Sequence, residues 1–439
     1  MVVSAQSGRD THLAVQQATP NSLHYVGRQG NDSYEGSENR PWATFQHADA
    51  VAKPGDTVVI LDGKYPGDII LESSGRPNNP ITYRAKNKWA AKIVGTGSGA
   101  GSAVIALKGG YTVVQDLDIT GSDANGIILA LSGSIANHNQ AVGNYVHDLV
   151  VPCNSDSGTA IESGAGDSYV GISHNDMIGN VVVNITPFGG CPGGHQASGL
   201  FAQTPYSVIA NNIVINAGYG IQCWHAARNV AIVGNILLNN LRSITVGAGD
   251  APYGVINDHT LVQNNIILHS VSLAIAETGK TGMHNRYIDN LVYGGNTTVD
   301  LNNGLVATGT INGNPQFINN TGTASGDYRL REASPGRWPL ISVTDARTAI
   351  GATNSADAKT PLVVPAAGIS ADAGWVRRGQ FVTLKWTTKN AVSAILNGER
   401  VPLSGSLKIQ PKADTTYKLV ATSPTGATDW GSVSVLVRR

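Results

Sequence analysis

Between Ser207 and Tyr293 the apolar and polar positions fall into a repeating pattern. Four segments carry it: VIANNIVINAGYGIQCW (208–224), VAIVGNILLNNLRSITV (230–246), TLVQNNIILHSVSLAIA (260–276) and NRYIDNLVY (285–293). Each runs through a short apolar strand, an Asn, a second apolar strand and, in the three longer segments, a small residue and a third strand. Aligning Asn212, Asn235, Asn265 and Asn290 gives intervals of 23, 30 and 25 residues, too short for a βαβ unit and suited to one coil of a solenoid. Val, Ile and Leu recur between turn residues, with no amphipathic helical run. The pattern predicts an all-β fold, a right-handed parallel β-helix whose stacked coils bury their inward side chains in one continuous core; a loop-rich β-sandwich is the alternative. The recurring Asn suits a tight bend, because Asn tolerates left-handed backbone and its amide can bond the Asn of the next coil.

Upstream, Pro41 through Lys53 predicts a helix, with Trp42, Phe45, Ala48 and Ala52 at helical spacing and Pro54-Gly55 stopping it. A solenoid leaves the apolar end of its first coil open, so this helix reads as a cap. Strands follow at Thr57–Leu61, Ile69–Leu71, ITYRA (81–85) and KIVG (92–95), and Asn144 and Asn180 extend the Asn column backward. The intervals there lengthen to 36 and 32 residues, and the added residues are concentrated on either side of one strand per coil. Long bends on both sides of a flat sheet make a groove.

Past Gly351 the composition changes. Residues 352–368 read as a linker, and 369–439 as short alternating strands with Asn-Gly and Thr-Gly turns. The expected organisation is an arm at 1–22, a β-helix at 23–351, the linker and a small β-sandwich.

Thirty basic residues balance thirty acidic ones, so no global field draws nucleic acid or an anionic membrane. No stretch is long and apolar enough to span a bilayer. Residues 1–20 lack a signal-peptide core and read as a mature start with an added Met, consistent with export. Cys153 and Cys191 occupy matching places in consecutive coils and are expected to be bonded in an oxidising compartment, while Cys223 falls at an inward position as a small hydrophobe.

The groove-side strand recurs as TAIES (159–163), SGLFA (198–202), YGIQCW (219–224), RSITV (242–246) and LAIAE (273–277). With Ile161, Leu200, Ile221, Ile244 and Ile275 inward, alternation turns Glu162, Phe201, Gln222 and Thr245 outward. Trp224 closes its strand as packing or as a sugar-stacking face. Tyr219 and Arg242 stand at equivalent places before their strands, His195 and Asp156 lie in the long loops, and His225 closes the coil. His147, His174, His269 and His284 share no row and read as structural.

An imidazole, a phenol, a guanidinium and carboxylates around one groove match β-elimination from a uronic acid. A cation neutralises the carboxylate, a base removes the proton beside it, and an acid protonates the leaving oxygen. Arg242 is the candidate for the first role, its planar fork pairing a carboxylate with two bonds. His195 or Tyr219 is the candidate base, and Glu162 the groove-floor carboxylate. Asp156, Asp167 and Asp250 are candidate Ca²⁺ ligands, without a calcium-loop spacing.

GNDSYEGSENRPWATFQHADAVAKPGDTVVILDGKY (30–65) resembles the opening coil of the pectate-lyase-like superfamily, and NPQFINNTGTASGDYRLREASPG (314–336) resembles how such chains finish. The resemblance spans about residues 24–350 and implies a β-helix that handles polysaccharide, without fixing the reaction. The lysines and aspartate clusters of calcium-dependent pectate lyases have no counterpart by motif. Trp386 and Thr415-Thr416-Tyr417 resemble the small immunoglobulin-like modules appended to exported bacterial enzymes. The leading expectation is a secreted lyase of an acidic polysaccharide. The alternatives are a glycoside hydrolase using a pair among Asp156, Glu162, Asp167 and Asp250, and a non-catalytic adhesin or tail-fibre-like binder.

Overall fold

The computed structural model describes residues 22–97, 103–121, 125–134, 136–150, 158–164, 172–187, 197–248, 255–323, 325–336, 346, 366–389, 391, 393–397, 399–422 and 428–438. The chain divides into two compact units, Met1–Ile350 and Gly351–Arg439.

The first unit is a right-handed parallel β-helix. Its first sheet has ten strands from Leu23–Val26 to Arg286–Ile288, its second nine from Ile69–Leu71 to Val299–Asp300, and its third ten from Gly63–Pro66 to Ile311–Asn312. Successive coils pair in register, so one inward row of the second sheet reads Ile105, Ile127, Ile161, Leu200, Ile221, Ile244 and Ile275. All seven belong to one buried apolar core that runs through the coils. Burial of each such side chain stabilises by roughly 1.5–3 kcal/mol before entropy is counted.

The asparagines form a column. The side-chain amide of Asn144 donates to Asn180 Oδ1 at 3.1 Å, and the chain continues through Asn212 at 3.0 Å and through Asn235, Asn265 and Asn290 at 2.9 Å each. The second amide hydrogen reaches a carbonyl, as from Asn235 to Ile209 O at 2.9 Å. The left-handed backbone, however, belongs to the residue before each ladder Asn. Gly143, Gly179, Asn211, Gly234, Asn264 and Asp289 have φ between 52° and 65°. The bend thus separates two duties, one residue turning the chain and the next satisfying buried amides.

The helix is shorter than the spacing predicts, Phe45–Val51, with Thr44 as its N-cap accepting from His47 N at 3.1 Å. Asp32 accepts from the backbone of Ala43 and Thr44 and from the Thr44 hydroxyl. That clamp holds Thr44 extended, so the helix cannot begin at Pro41. Phe45 and Ala48 close the apolar end of the first coils.

The second unit holds a three-stranded antiparallel sheet (Ala366–Ala371, Val382–Lys389, Ser404–Ile409) and a five-stranded, mostly antiparallel one. They share a core of Leu384, Trp386, Ala394, Leu396 and Leu419, an arrangement compatible with a small β-sandwich.

Candidate functional site

Two outer faces of the β-helix are covered by its own chain. On the third sheet, Val181, Val183, Ile213, Ile215, Ile236 and Leu238 pack with Phe317 and Tyr328 of the hairpin formed by Phe317–Asn319 and Asp327–Leu330. On the first, Val208, Ala210, Ala231, Val233 and Leu261 pack with Ala346. The second sheet instead turns out mainly polar and aromatic side chains beyond an apolar patch of Ala103, Ala106 and Ile128; Thr159, Glu162, Ser198, Phe201 and Thr245 among them are buried, Tyr219, Gln222 and Arg242 half-buried and Asp300 exposed.

Its outward residues form two rows. One reads Ile128, Glu162, Phe201, Gln222, Thr245, Ala276 and Asp300, and the other Asn125, Thr159, Ser198, Tyr219, Arg242 and Leu273. Strict alternation would send Tyr219 inward with Ile221. The strand escapes this because two successive positions face the core: a Cβ on Gly220 would lie 2.6 Å from Leu237 Cδ2, and one on Gly199 2.5 Å from Val214 Cγ1. Only glycine or a very small residue fits there, and the resulting bend throws Tyr219 and Arg242 to the outside.

On this face the Arg242 guanidinium lies 5.8 Å from the centre of the Tyr219 ring, within cation–π range. Both side chains are half-buried. Ser198 Oγ donates to Gln222 Oε1 at 2.8 Å, tying the two rows together and leaving the Gln222 amide hydrogens aimed elsewhere. Phe201 and His225 approach with ring centres 5.7 Å apart. The Thr245 hydroxyl is buried without a hydrogen-bond partner. Trp224 lies over the backbone where a Cβ on Gly247 or Gly279 would meet its ring at 2.6 or 2.7 Å. It is therefore a packed plate with a half-exposed surface.

Glu162 lies on its expected row, yet only 1% of it is exposed, so it is no open groove floor. Gln203 Nε2 donates to its Oε2 at 2.9 Å, a partner recognisable in SGLFAQ by counting two residues past Phe201. Burial pushes the carboxyl up to about 8 from its ordinary 4.5, the Gln203 bond opposing. A folded-state value above the unfolded one means that the native form holds a proton the unfolded chain releases. Stability from this group is complete below about 4.5 and is lost as pH rises to about 8. Glu162→Gln should therefore gain in unfolding temperature relative to the wild type as pH climbs across that window. A difference that stays constant in paired thermal scans from pH 4.5 to pH 8 would show that burial does not raise the carboxyl above its ordinary range.

Spacing decides who can act together. Neighbouring strands are about 4.8 Å apart, so Glu162, three strands from Arg242, sits roughly 14 Å away along the row and cannot serve the same bond. The row also contains a second carboxylate, the exposed Asp300, which the sequence pattern missed because Val299–Asp300 is a two-residue strand. Five strands separate it from Glu162, roughly 24 Å, against the 6.5–9.5 Å of an inverting pair and about 5 Å of a retaining one.

Asp156, Asp167, His195, Asp250, Cys153 and Cys191 lie outside the described residues. Cys223 is buried with its thiol pushed up to about 12 by burial, an inert position. Two of the histidines read as solitary do stack on another: His174 on His138 at 4.6 Å within a run from Tyr111 to Tyr206, and His284 on His259 at 4.6 Å, while His147 stacks on Tyr145 and His269 lies tilted to Tyr293. A further buried carboxylate, Glu277, faces the opposite way and accepts from Asn285, Tyr287, Thr281 and the Asn302 backbone, closing the last coils.

Residues 24–237 match a family described as the Pel9A-like right-handed beta helix region. Among curated proteins, the uncharacterized protein YwoF of Bacillus subtilis (strain 168) is 29% identical over 138 residues, 28% of either chain. The chain thus spans well under two thirds of that relative. Among solved structures, pectate lyase Pel9A aligns at 17% identity over 72% of this chain and 90% of its own, with a TM-score of 0.48. An alginate lyase from Paenibacillus sp. str. FPU-7 aligns at 17% over 66% and 99%, TM-score 0.40. A protein described as a glycoside hydrolase aligns at 9% over 66% and 96%, TM-score 0.43.

Proposed function

Taking the first unit as a pectate-lyase-like right-handed parallel β-helix, we propose that the chain is an exported polysaccharide lyase that cleaves a uronate-containing polymer by β-elimination across the outer face of its second sheet. The observation that carries this reading is the placement of Arg242 over Tyr219 on a bent, outward-facing strand pair. The guanidinium pairs the uronate carboxylate with two parallel bonds and spreads the charge that builds there when the neighbouring C–H proton leaves. Tyr219, one strand away, takes that proton, with His195 the other candidate for the role. The electron pair becomes the ring double bond, the glycosidic C–O bond breaks, and the leaving oxygen takes a proton from solvent water. Gln222, on the strand that carries Tyr219, and Trp224, just past its end, orient the sugar, and Glu162, buried and too far for the chemistry, supports the sheet.

The hydrolase reading needs two carboxylates flanking one bond; Glu162 and Asp300 are too far apart to be that pair, and the other carboxylates expected for it, Asp156, Asp167 and Asp250, lie outside the described residues. Incubation with a panel of acidic polysaccharides separates the readings. The ultraviolet band of an unsaturated uronate, growing with the number of new chain ends, is expected. New reducing ends without that band would establish a hydrolase, and binding without cleavage an adhesin. The Cys153–Cys191 bond and the immunoglobulin-like character of the second unit belong to the same proposal, as features of a protein working outside the cell.

A further inference from the structure

Two turns away from the groove face, one in each of two successive coils, bring an unusual trio together. Asp258 and His259 precede the first-sheet strand Leu261–Gln263, and His284 precedes the next, Arg286–Ile288, which pairs with it in register. Asp258 Oδ2 lies 2.7 Å from His284 Nδ1 and 3.7 Å from His259 Nε2, and the ligand atoms of the three residues all fall within 4.8 Å of one another. The two imidazoles lie parallel, 5° apart.

The carboxylate is held in place from behind. Its Oδ1 accepts from the backbone N–H of His259 at 3.0 Å and of His284 at 2.8 Å, which aims Oδ2 between the rings. Gly282 is pressed against it so closely that a Cβ there would sit 2.1–2.5 Å from the carboxylate atoms. The two turns are already joined by Asn257 N to Lys280 O at 3.0 Å and Gly282 N to Asn257 O at 2.9 Å. Orientation of a carboxylate by backbone donors is what a metal site requires around its ligands.

The geometry points to a binding site for a divalent transition metal, of the zinc class, formed by Asp258, His259 and His284. A tetrahedral shell with ligands at about 2.0–2.2 Å holds its donor atoms roughly 3.3–3.6 Å apart, so the two separations from Asp258 lie on either side of that range and close on an ion by small side-chain rotations. Two imidazoles and one carboxylate select zinc, cobalt, nickel or copper over calcium, whose shell is built from six to eight oxygens. Three protein ligands leave the fourth position to water. The ion would bridge two coils at one edge of the solenoid, separate from the Tyr219 and Arg242 chemistry.

The test uses the tag-free full chain, stripped with chelator and titrated with Co²⁺ and then Zn²⁺. One equivalent of Co²⁺ is expected to give the visible bands of low-symmetry nitrogen and oxygen coordination, discharged by Zn²⁺ and unaffected by millimolar Ca²⁺. His284→Ala, at a half-exposed side chain, and His259→Gln should each weaken Zn²⁺ about 100-fold or more in calorimetry and abolish the metal-dependent rise in unfolding temperature. His269→Ala, outside the trio, should bind as the wild type does. Wild-type binding absent at millimolar metal, or equal binding by the wild type, His284→Ala and His259→Gln, would overturn the assignment.

Discussion

Replacing Arg242 with alanine is expected to lower kcat/KM on the cleaved polymer by about 10²–10³-fold, the scale on which removing one preorganised charge-stabilising donor acts. The side chain is half-exposed on the outside of the sheet, so far-ultraviolet dichroism and unfolding temperature should stay at wild-type values and the loss can be read as chemistry. Arg242→Lys keeps the charge and surrenders the planar fork, and should recover only part of the rate. Tyr219→Phe separates the roles further: it keeps the ring beneath the guanidinium and removes the proton acceptor, so kcat should fall with little change in KM. An Arg242→Ala enzyme that turns over at the wild-type rate would remove this site from the reaction, whatever the polymer proves to be.

The second large effect is on stability. Asn235→Ala should lower the unfolding free energy by at least about 3 kcal/mol, because burying an unsatisfied polar group costs about 1–3 kcal/mol each and the substitution strands several at once. Asn235 Oδ1 accepts from both the backbone and the side chain of Asn212, and its own amide donates to Ile209 O and Asn265 Oδ1. Asn212, Asn235 and Asn265 are all fully buried, so the stranded groups lie away from bulk solvent. The denaturation midpoint in urea gives the measurement. A shift worth less than about 1 kcal/mol would show that the column is dispensable to the stacking of coils.

The coil, its length and its Asn column were legible because they rest on strong local rules: β-branched strands, and an amide that must be satisfied wherever a bend is buried. The ladder is visible in the sequence because each coil repeats the same problem. What was not legible came from backbone geometry. That Gly220 and Gly199 create two successive inward positions cannot be read from alternation, which would have turned Tyr219 into the core. The burial of Glu162 depends on neighbours distant in sequence, and Asp300 was hidden in a strand of two residues. His284 looked solitary because the turns that place it beside His259 differ in sequence, although the first-sheet strands that follow them are in register. The helix start was misplaced for a related reason: Asp32, twelve residues before Thr44, fixes the cap.

The nine-strand sheet has a further consequence for how a polymer would travel over it. Its rungs recur about every 4.8 Å, so a sugar chain laid across the strands would meet the same pitch at each step. Such a track by itself cannot say where the chain stops, because a slip by one rung restores nearly the same contacts. On the proposed reading, the side chains that break this translational sameness, Tyr219 and Arg242 on adjacent rungs, would therefore set the point of scission.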